Sequence, residues 1–228
     1  MTAEFLQFLF SGLTVGVVYA LAALGFNLVY NSSHVINFAE GEFIMLGGML
    51  SVFFNGLGLH WGIAFVLAIL CTALIGVLLV KLTIEPARNA DVIGLIIITI
   101  GASLVIRGLV EIWLGKNPYT MPAFTSHPPL ELLGARLQAQ SLWVFGVTAI
   151  VMVALWYFFR HTLLGKGMLA TSYNRVAATL VGINTKWILL LSFALSGALG
   201  ALAGILITPI TLTSYDVGVM LTLKGFVA

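Results

Sequence analysis

Charge is scarce in this chain. Its 228 residues include 10 Lys or Arg and 8 Asp or Glu, so that 8% are charged, against about 25% in an ordinary soluble domain. Hydrophobic residues make up 61%. A disordered chain needs high charge and low hydrophobicity, and a soluble globule needs a more charged surface, so both classes are excluded. The composition predicts a membrane protein that crosses the bilayer several times.

Cysteine and concentrated basic charge are also lacking. Cys71 is the single cysteine, which excludes an intrachain disulfide and a cysteine metal cluster. The net charge of +2 offers no basic patch for nucleic acid. No His-Glu-x-x-His motif occurs, and the four histidines lie in or beside predicted loops: His34, His60, His127 and His161. We therefore expect no metal, no cofactor and no enzymatic activity.

The intervals without charge predict the membrane crossings. A spanning helix needs ~20 apolar residues to cross ~30 Å of hydrocarbon. This places six transmembrane helices in an all-α polytopic fold: 5–30, two within 43–80 on either side of a turn at 55–58, then 92–114, 141–159 and 187–208. The crossing 92–114 is the exception to the rule, because Arg107 and Glu111 interrupt it. A seventh segment begins near Asp216. We expect it to be cut off at Ala228, so that 1–228 forms one transmembrane domain that is incomplete at its C-terminus.

The basic residues predict the orientation. The loops 81–91 (with Lys81 and Arg88) and 160–186 hold six Lys or Arg, whereas the longer loop 115–140 holds two. Because Lys and Arg are enriched in cytoplasmic loops, we expect the first two loops to be cytoplasmic and the N-terminus to be external. The proline-rich loop 115–140 is then external, as a docking surface for a partner or as a passive linker.

Small residues recur at four-residue spacing in two stripes. One consists of Gly12, Gly16 and Ala20, and the other of Ser192, Ser196, Gly200, Gly204 and Thr208. Such stripes allow close helix packing in membranes. The alternative is that one of them lines a path for a small solute.

Polar residues at 36–42 interrupt two apolar runs. Asn37, Glu40, Gly41 and Glu42 are predicted to lie near the cytoplasmic end of a helix over 36–54. On a helix, carboxylates two residues apart point about 200° from each other, so they do not form a paired acid–base site. The segment fits either a helix entrance, where carboxylates complement the positive end of the dipole, or a broken helix beside a translocation path.

A polar stripe also runs along the predicted helix 92–114. Thr99, Ser103, Arg107 and Glu111 are each four residues apart. We expect Arg107 to pair with Glu111, its i+4 neighbour, because an intramembrane arginine needs a partner. The alternative is that Arg107 extends to the external surface.

The loop 160–186 contains an amphipathic pattern. Apolar residues spaced three or four apart predict one short helix: Leu169, Tyr173, Val176, Leu180 and Ile183. Ser172 is the predicted N-cap, and Gly182 marks the end. This helix is expected to lie on the membrane surface or in the groove of a partner.

Several stretches resemble one known family. Residues 162–168 (Thr-Leu-Leu-Gly-Lys-Gly-Met), followed by Ala177 and by Gly-Ile-Asn at 182–184, resemble the coupling loop of ABC-importer permeases. More narrowly, 36–42, 191–204 and 224–226 resemble segments of the branched-chain amino acid (LivH/LivM-type) permease family. The chain departs from the family pattern at Glu40, where the family usually has His, and at Leu169, where Arg is common.

The resemblance implies an ABC-importer permease bundle in the bacterial inner membrane. Its partners would be a second permease subunit, two cytoplasmic ATPases and a periplasmic solute-binding protein. The residues implied in ATPase coupling are Lys166, Ala177, Ala178, Gly182, Ile183 and Asn184. The translocation-path candidates are Asn37, Glu40, Gly41, Glu42, Thr99, Ser103 and Arg107.

Other functions remain open at this point. Urea or short-chain amides are alternative solutes, since similar permeases serve them. An ion-coupled transporter or channel is a different class, with Glu40, Glu42 and Arg107 as the ion-sensing groups. Gly165-Lys166-Gly167 lacks the upstream Gly and following Ser or Thr of a phosphate-binding loop, so ATP hydrolysis is expected on a separate subunit.

Overall fold

A computed structural model describes residues 2–87, 90–125, 130–132 and 135–227. Arg88 and His127 lie outside these ranges. The described chain is almost entirely helical, and the predicted all-α class is confirmed. The helices are α1 (Thr2–Ser33), α2 (Glu40–Gly56), α3 (Trp61–Leu79), α4 (Val92–Leu114), α5 (Ala139–His161), α6 (Leu163–Tyr173), α7 (Arg175–Leu180), α8 (Thr185–Ile207) and α9 (Val217–Val227). A π-helical turn (Val80–Ile84) extends α3, and two short antiparallel strands, β1 (Leu130–Leu132) and β2 (Ala135–Leu137), lie between α4 and α5.

Five helices are long and apolar enough to cross a membrane: α1, α3 with its π-helical turn, α4, α5 and α8. The sixth predicted crossing, α2, has 17 residues and is therefore about 26 Å long, shorter than ~30 Å of hydrocarbon. Twelve of its residues are buried. Five of the six predicted crossings are thus long helices, and the sixth, α2, is a short central helix.

The bundle is built around α8, which packs in parallel with α2 and antiparallel to α3. The stripe on α8 makes this packing possible. A Cβ at Gly204 would overlap the backbone oxygen of Ile44 on α2, and one at Gly197 would lie 2.8 Å from the backbone oxygen of Thr72 on α3. Close packing is thus confirmed for this stripe. At the first stripe, a Cβ at Gly12 or Gly16 would meet nothing within 4 Å, so that among the described residues no helix packs closely there.

The first turn of α2 lies at the middle of its neighbours. Glu42 contacts Ser103, the twelfth residue of α4, and Glu40 contacts Ser196, the twelfth residue of α8. Each contact is about 17 Å from the start of its helix at 1.5 Å per residue. Glu40 and Glu42 do lie at the start of a helix, as predicted, but this start is at the middle of the neighbouring helices and not near one end of the bundle. The chain reaches this depth through the non-helical segment 34–37 and a turn at 38–39, which favours the broken-helix interpretation.

The single predicted amphipathic helix is instead two helices, α6 and α7. Thr162 caps α6 by accepting from Gly165 N at 3.0 Å. Asn174 breaks the two apart and caps α7 by accepting from Ala177 N at 3.0 Å. Ser172 lies inside α6, so its assignment as the N-cap is wrong. Gly182 follows the end of α7 with φ +87°, the left-handed conformation that favours glycine at a helix end.

Candidate functional site

The chain breaks between α1 and α2 because side chains compete with the helix for its backbone groups. Ser32 and Ser33 donate to the carbonyls of Leu28 and Val29 at 2.7 and 2.6 Å. The Asn37 side chain then accepts from Ala39 N at 3.1 Å, a local turn that replaces helical bonding. These contacts direct the chain into the bundle, where α2 starts with two acidic residues in its first turn.

Glu42 is the centre of a buried polar cluster. Its Oε1 accepts from Ser103 Oγ at 2.8 Å and from Arg107 Nη2 at 2.7 Å. The Glu42 side chain is 0% exposed and that of Arg107 19%. Both the predicted Arg107–Glu111 pair and the extension of Arg107 to the surface are therefore wrong. Glu111 instead pairs with Lys116 at 2.9 Å, and this hydrogen bond raises the pKa of the Lys116 amine, which lies beyond the end of α4.

Glu40 points the other way, as the predicted angle of about 200° requires. Its Oε2 accepts from Ser196 Oγ on α8, and its Oε1 lies against Gly25 on α1. Glu40 Oε1 and Glu42 Oε2 are buried without a hydrogen-bond partner. The two carboxylates thus bind α2 to different helices.

Gly41 brings α9 against the first turn of α2. Its amide donates to Thr222 Oγ1 at 2.9 Å, and a Cβ at Gly41 would overlap the backbone oxygen of Gly218. Only glycine permits this approach. On the other side, Thr99 Oγ1 accepts from Phe38 N at 3.3 Å, so α4 also holds the segment that leads into α2.

The structure brings together all seven predicted path residues around the start of α2. Two of them, Ser103 and Arg107, border a cavity of about 320 Å³ between α4 and α9. Asn37, Glu40 and Glu42 are sealed inside the bundle. The sequence analysis missed Ser196 and Thr222 as members of the cluster. In the sequence, Ser196 stands out only as a small residue of the α8 stripe, and no pattern points to Thr222 as a residue of the cluster.

The residues implied in ATPase coupling lie around α6 and α7, and their exposure differs. Lys166, Ala177 and Gly182 are exposed and Ile183 is half-buried. Ala178 is 3% exposed because it faces the bundle. Asn184 caps α8 by accepting from Lys186 N at 3.2 Å. The outward apolar residues of this region include Tyr173, Val176 and Leu180, with 89%, 72% and 83% exposure.

Comparison with known proteins identifies similar chains. Residues 8–228 match the family described as branched-chain amino acid transport system, permease component. The high-affinity branched-chain amino acid transport system permease protein LivH of Escherichia coli (strain K12) is 29% identical over 98% of this chain and 77% of its own length. BraD of Pseudomonas aeruginosa, of the same description, is 29% identical over 90% and 71%. The ribose import permease protein RbsC of Escherichia coli (strain K12) is 28% identical over 87% and 60%. No solved structure gives a significant match.

Proposed function

The chain belongs to the family of branched-chain amino acid transport permease components, and from this premise we propose that it is the permease subunit of an ATP-driven ABC importer for branched-chain amino acids. The observation that carries the proposal is the family match, which extends over residues 8–228. The chain is a multi-pass membrane protein, and we place it in the bacterial inner membrane. A second permease, two ATPases and a periplasmic solute-binding protein complete the importer.

The exposed face of Tyr173, Val176 and Leu180 is the proposed docking surface for the ATPase. Large apolar side chains on a short helix fit a hydrophobic groove of a partner. Basic residues concentrate at this end of the bundle, which supports a cytoplasmic position. The opposite end, with the loop between α4 and α5, is then external and available to the solute-binding protein.

Movement of α7 has a direct route to the buried cluster. Ala178 packs inward, and Ile183 packs in the cluster that contains Ile188 of α8. Halfway along α8, Ser196 binds Glu40 at the start of α2. We propose that displacement of α7 on ATP binding shifts α8, and with it the first turn of α2. Alternating access would then depend on whether α2 remains attached to α4 through the Glu42–Arg107 pair.

The choice of solute depends on the similarity to other permeases. Identity to RbsC is nearly as high as identity to LivH, so ribose is a second candidate beside urea or short amides. Branched-chain amino acids are favoured because LivH and BraD align over more of both chains.

Uptake into vesicles tests the proposal. The complete importer is reconstituted with its solute-binding protein, and uptake of labelled leucine, urea and ribose is measured with and without ATP. We expect leucine uptake that requires both ATP and the solute-binding protein, with urea and ribose at background. Leucine uptake driven by an ion gradient in the absence of ATP would instead identify an ion-coupled transporter.

A further inference from the structure

A second cavity lies apart from the buried cluster, between α1, α2 and the connection from α8 to α9. It measures about 330 Å³, at the lower end of the size range of small-molecule sites. Both charged and hydroxyl groups line it, together with apolar side chains. Its principal lining residues are Tyr19, Ile44, Ile207, Asp216, Met220 and Lys224.

Lys224 is the cationic group of this cavity. It belongs to α9, an otherwise apolar helix. A charged side chain in such a helix is costly, which makes Lys224 a candidate functional residue. Its Nζ donates to Tyr19 Oη at 3.0 Å and lies 5.3 Å from the centre of the Tyr19 ring. Among the side chains that the structure describes, no carboxylate forms a salt bridge with Lys224. The ammonium is therefore positioned by a neutral phenol and is available to an anion.

Asp216 is the anionic group. It directly precedes α9 and accepts from Ser214 Oγ at 2.5 Å. Eight residues separate it from Lys224, which corresponds to about 12 Å along a helix. Because helical side chains lean toward the N-terminus, the lysine stem shortens the gap between the charges without closing it. The cavity thus has one cationic and one anionic group among its lining residues.

We propose that this cavity binds the zwitterion of an α-amino acid with a branched apolar side chain. Lys224 and Tyr19 would bind the carboxylate, Asp216 would bind the ammonium group, and Ile44 and Ile207 would contact the side chain. This inference rests on the proposed function and gives the permease a solute site of its own. Urea and ribose carry no charges for Lys224 and Asp216 to bind, so the site discriminates against them.

The test is equilibrium binding of labelled leucine to the complete permease–ATPase complex in lipid nanodiscs, without solute-binding protein. Competitors are leucinamide, which lacks the carboxylate, and 4-methylpentanoate, which lacks the ammonium group. We expect the wild type to bind leucine about tenfold or more tightly than either competitor, since charge-assisted hydrogen bonds are the strong ones.

Two variants test which side chain of the cavity binds which charged group of leucine. Lys224→Met should weaken leucine about tenfold or more and leave leucinamide within about twofold. Asp216→Asn should weaken leucine similarly and leave 4-methylpentanoate unchanged. Lys116→Met, a surface lysine outside the cavity, is the matched control and should bind as the wild type does.

Any one of three results would contradict the proposal that this cavity binds leucine. These are no saturable leucine binding to the wild type, equal affinity for leucine and both competitors, or variants that weaken every ligand alike. If the same complex still performs ATP-dependent leucine uptake with its solute-binding protein, the proposed function stands and only this site is lost.

Discussion

At the scale of the residue, Glu42 depends on Arg107, because Glu42 is fully buried and the partly buried Arg107 neutralises it at 2.7 Å. Removing one partner of a buried ion pair leaves an uncompensated charge and costs about 3–5 kcal/mol. Arg107→Met should therefore lower the stability of the purified protein by about that amount. The double variant Glu42→Gln with Arg107→Met should recover part of the loss, since no charge is then left unpaired.

Thermal unfolding in detergent measures this effect through the single cysteine. Cys71 is half-buried, so its reaction with a fluorescent maleimide reports opening of the bundle. Lys116→Met is the control, because it breaks an exposed pair and should leave the midpoint nearly unchanged. A double variant less stable than Arg107→Met alone would contradict the role of Arg107 as the counter-charge of Glu42.

The sequence could predict that Arg107 needs a partner but not which one. Periodicity compares residues of one helix and therefore pointed to Glu111, four positions ahead. The true partner is 65 positions earlier, and its proximity depends on how deep α2 begins in the bundle. The divergence of Glu40 and Glu42 was predictable, because it follows from helix geometry alone.

At the scale of the element, α7 has two different faces. Val176 and Leu180 point outward, whereas Ala178 is buried against the chain itself. Val176→Glu should therefore abolish co-purification of the ATPase with the permease and leave the unfolding midpoint unchanged. Ala178→Glu should lower the midpoint, because it places a charge in a packed interior.

Affinity purification of the complex shows which variant loses the ATPase, and the unfolding assay shows which variant is destabilised. Thr179→Glu is the control for an added charge, because Thr179 is exposed on the same helix and already carries a polar group at the border of the apolar face. If the Val176→Glu permease retained the ATPase at the wild-type level, α7 would not be the docking surface.

Element boundaries were predictable wherever the hydrocarbon itself imposes them. The charge-free intervals located α5 and α8 within a few residues, because charge is largely excluded from a span. The apolar run that located α4 is interrupted by Arg107 and Glu111. The same intervals could not show that α2 starts at mid-depth, since an apolar run carries no information on where it lies along its neighbours. Ser172 and Asn174 are both good N-caps, and only the structure shows that α6 continues through Ser172.

At the scale of the whole molecule, the two ends of the bundle differ in charge. Because α3 and α8 are antiparallel, the C-terminal end of α3 lies at the same end as α6 and α7. Five of the basic residues that the structure describes gather there: Lys81, Arg160, Lys166, Arg175 and Lys186. Lys116 lies at the opposite end, beyond α4. Loop composition had predicted this asymmetry, although it could not show that α6 and α7 form its outermost part.

This charge asymmetry predicts how the protein sits in the membrane, with α6 and α7 in the cytoplasm. In a Cys71→Ser background, a membrane-impermeant thiol reagent should label the Leu57→Cys variant in intact spheroplasts, because Leu57 is exposed in the connection between α2 and α3. The Val176→Cys variant should react only after lysis. Both sites are highly exposed in the bundle, so a difference between them reports sidedness rather than burial. The reverse pattern would place α7 outside the cell, where no ATPase could reach it, and would contradict the ATP-driven importer.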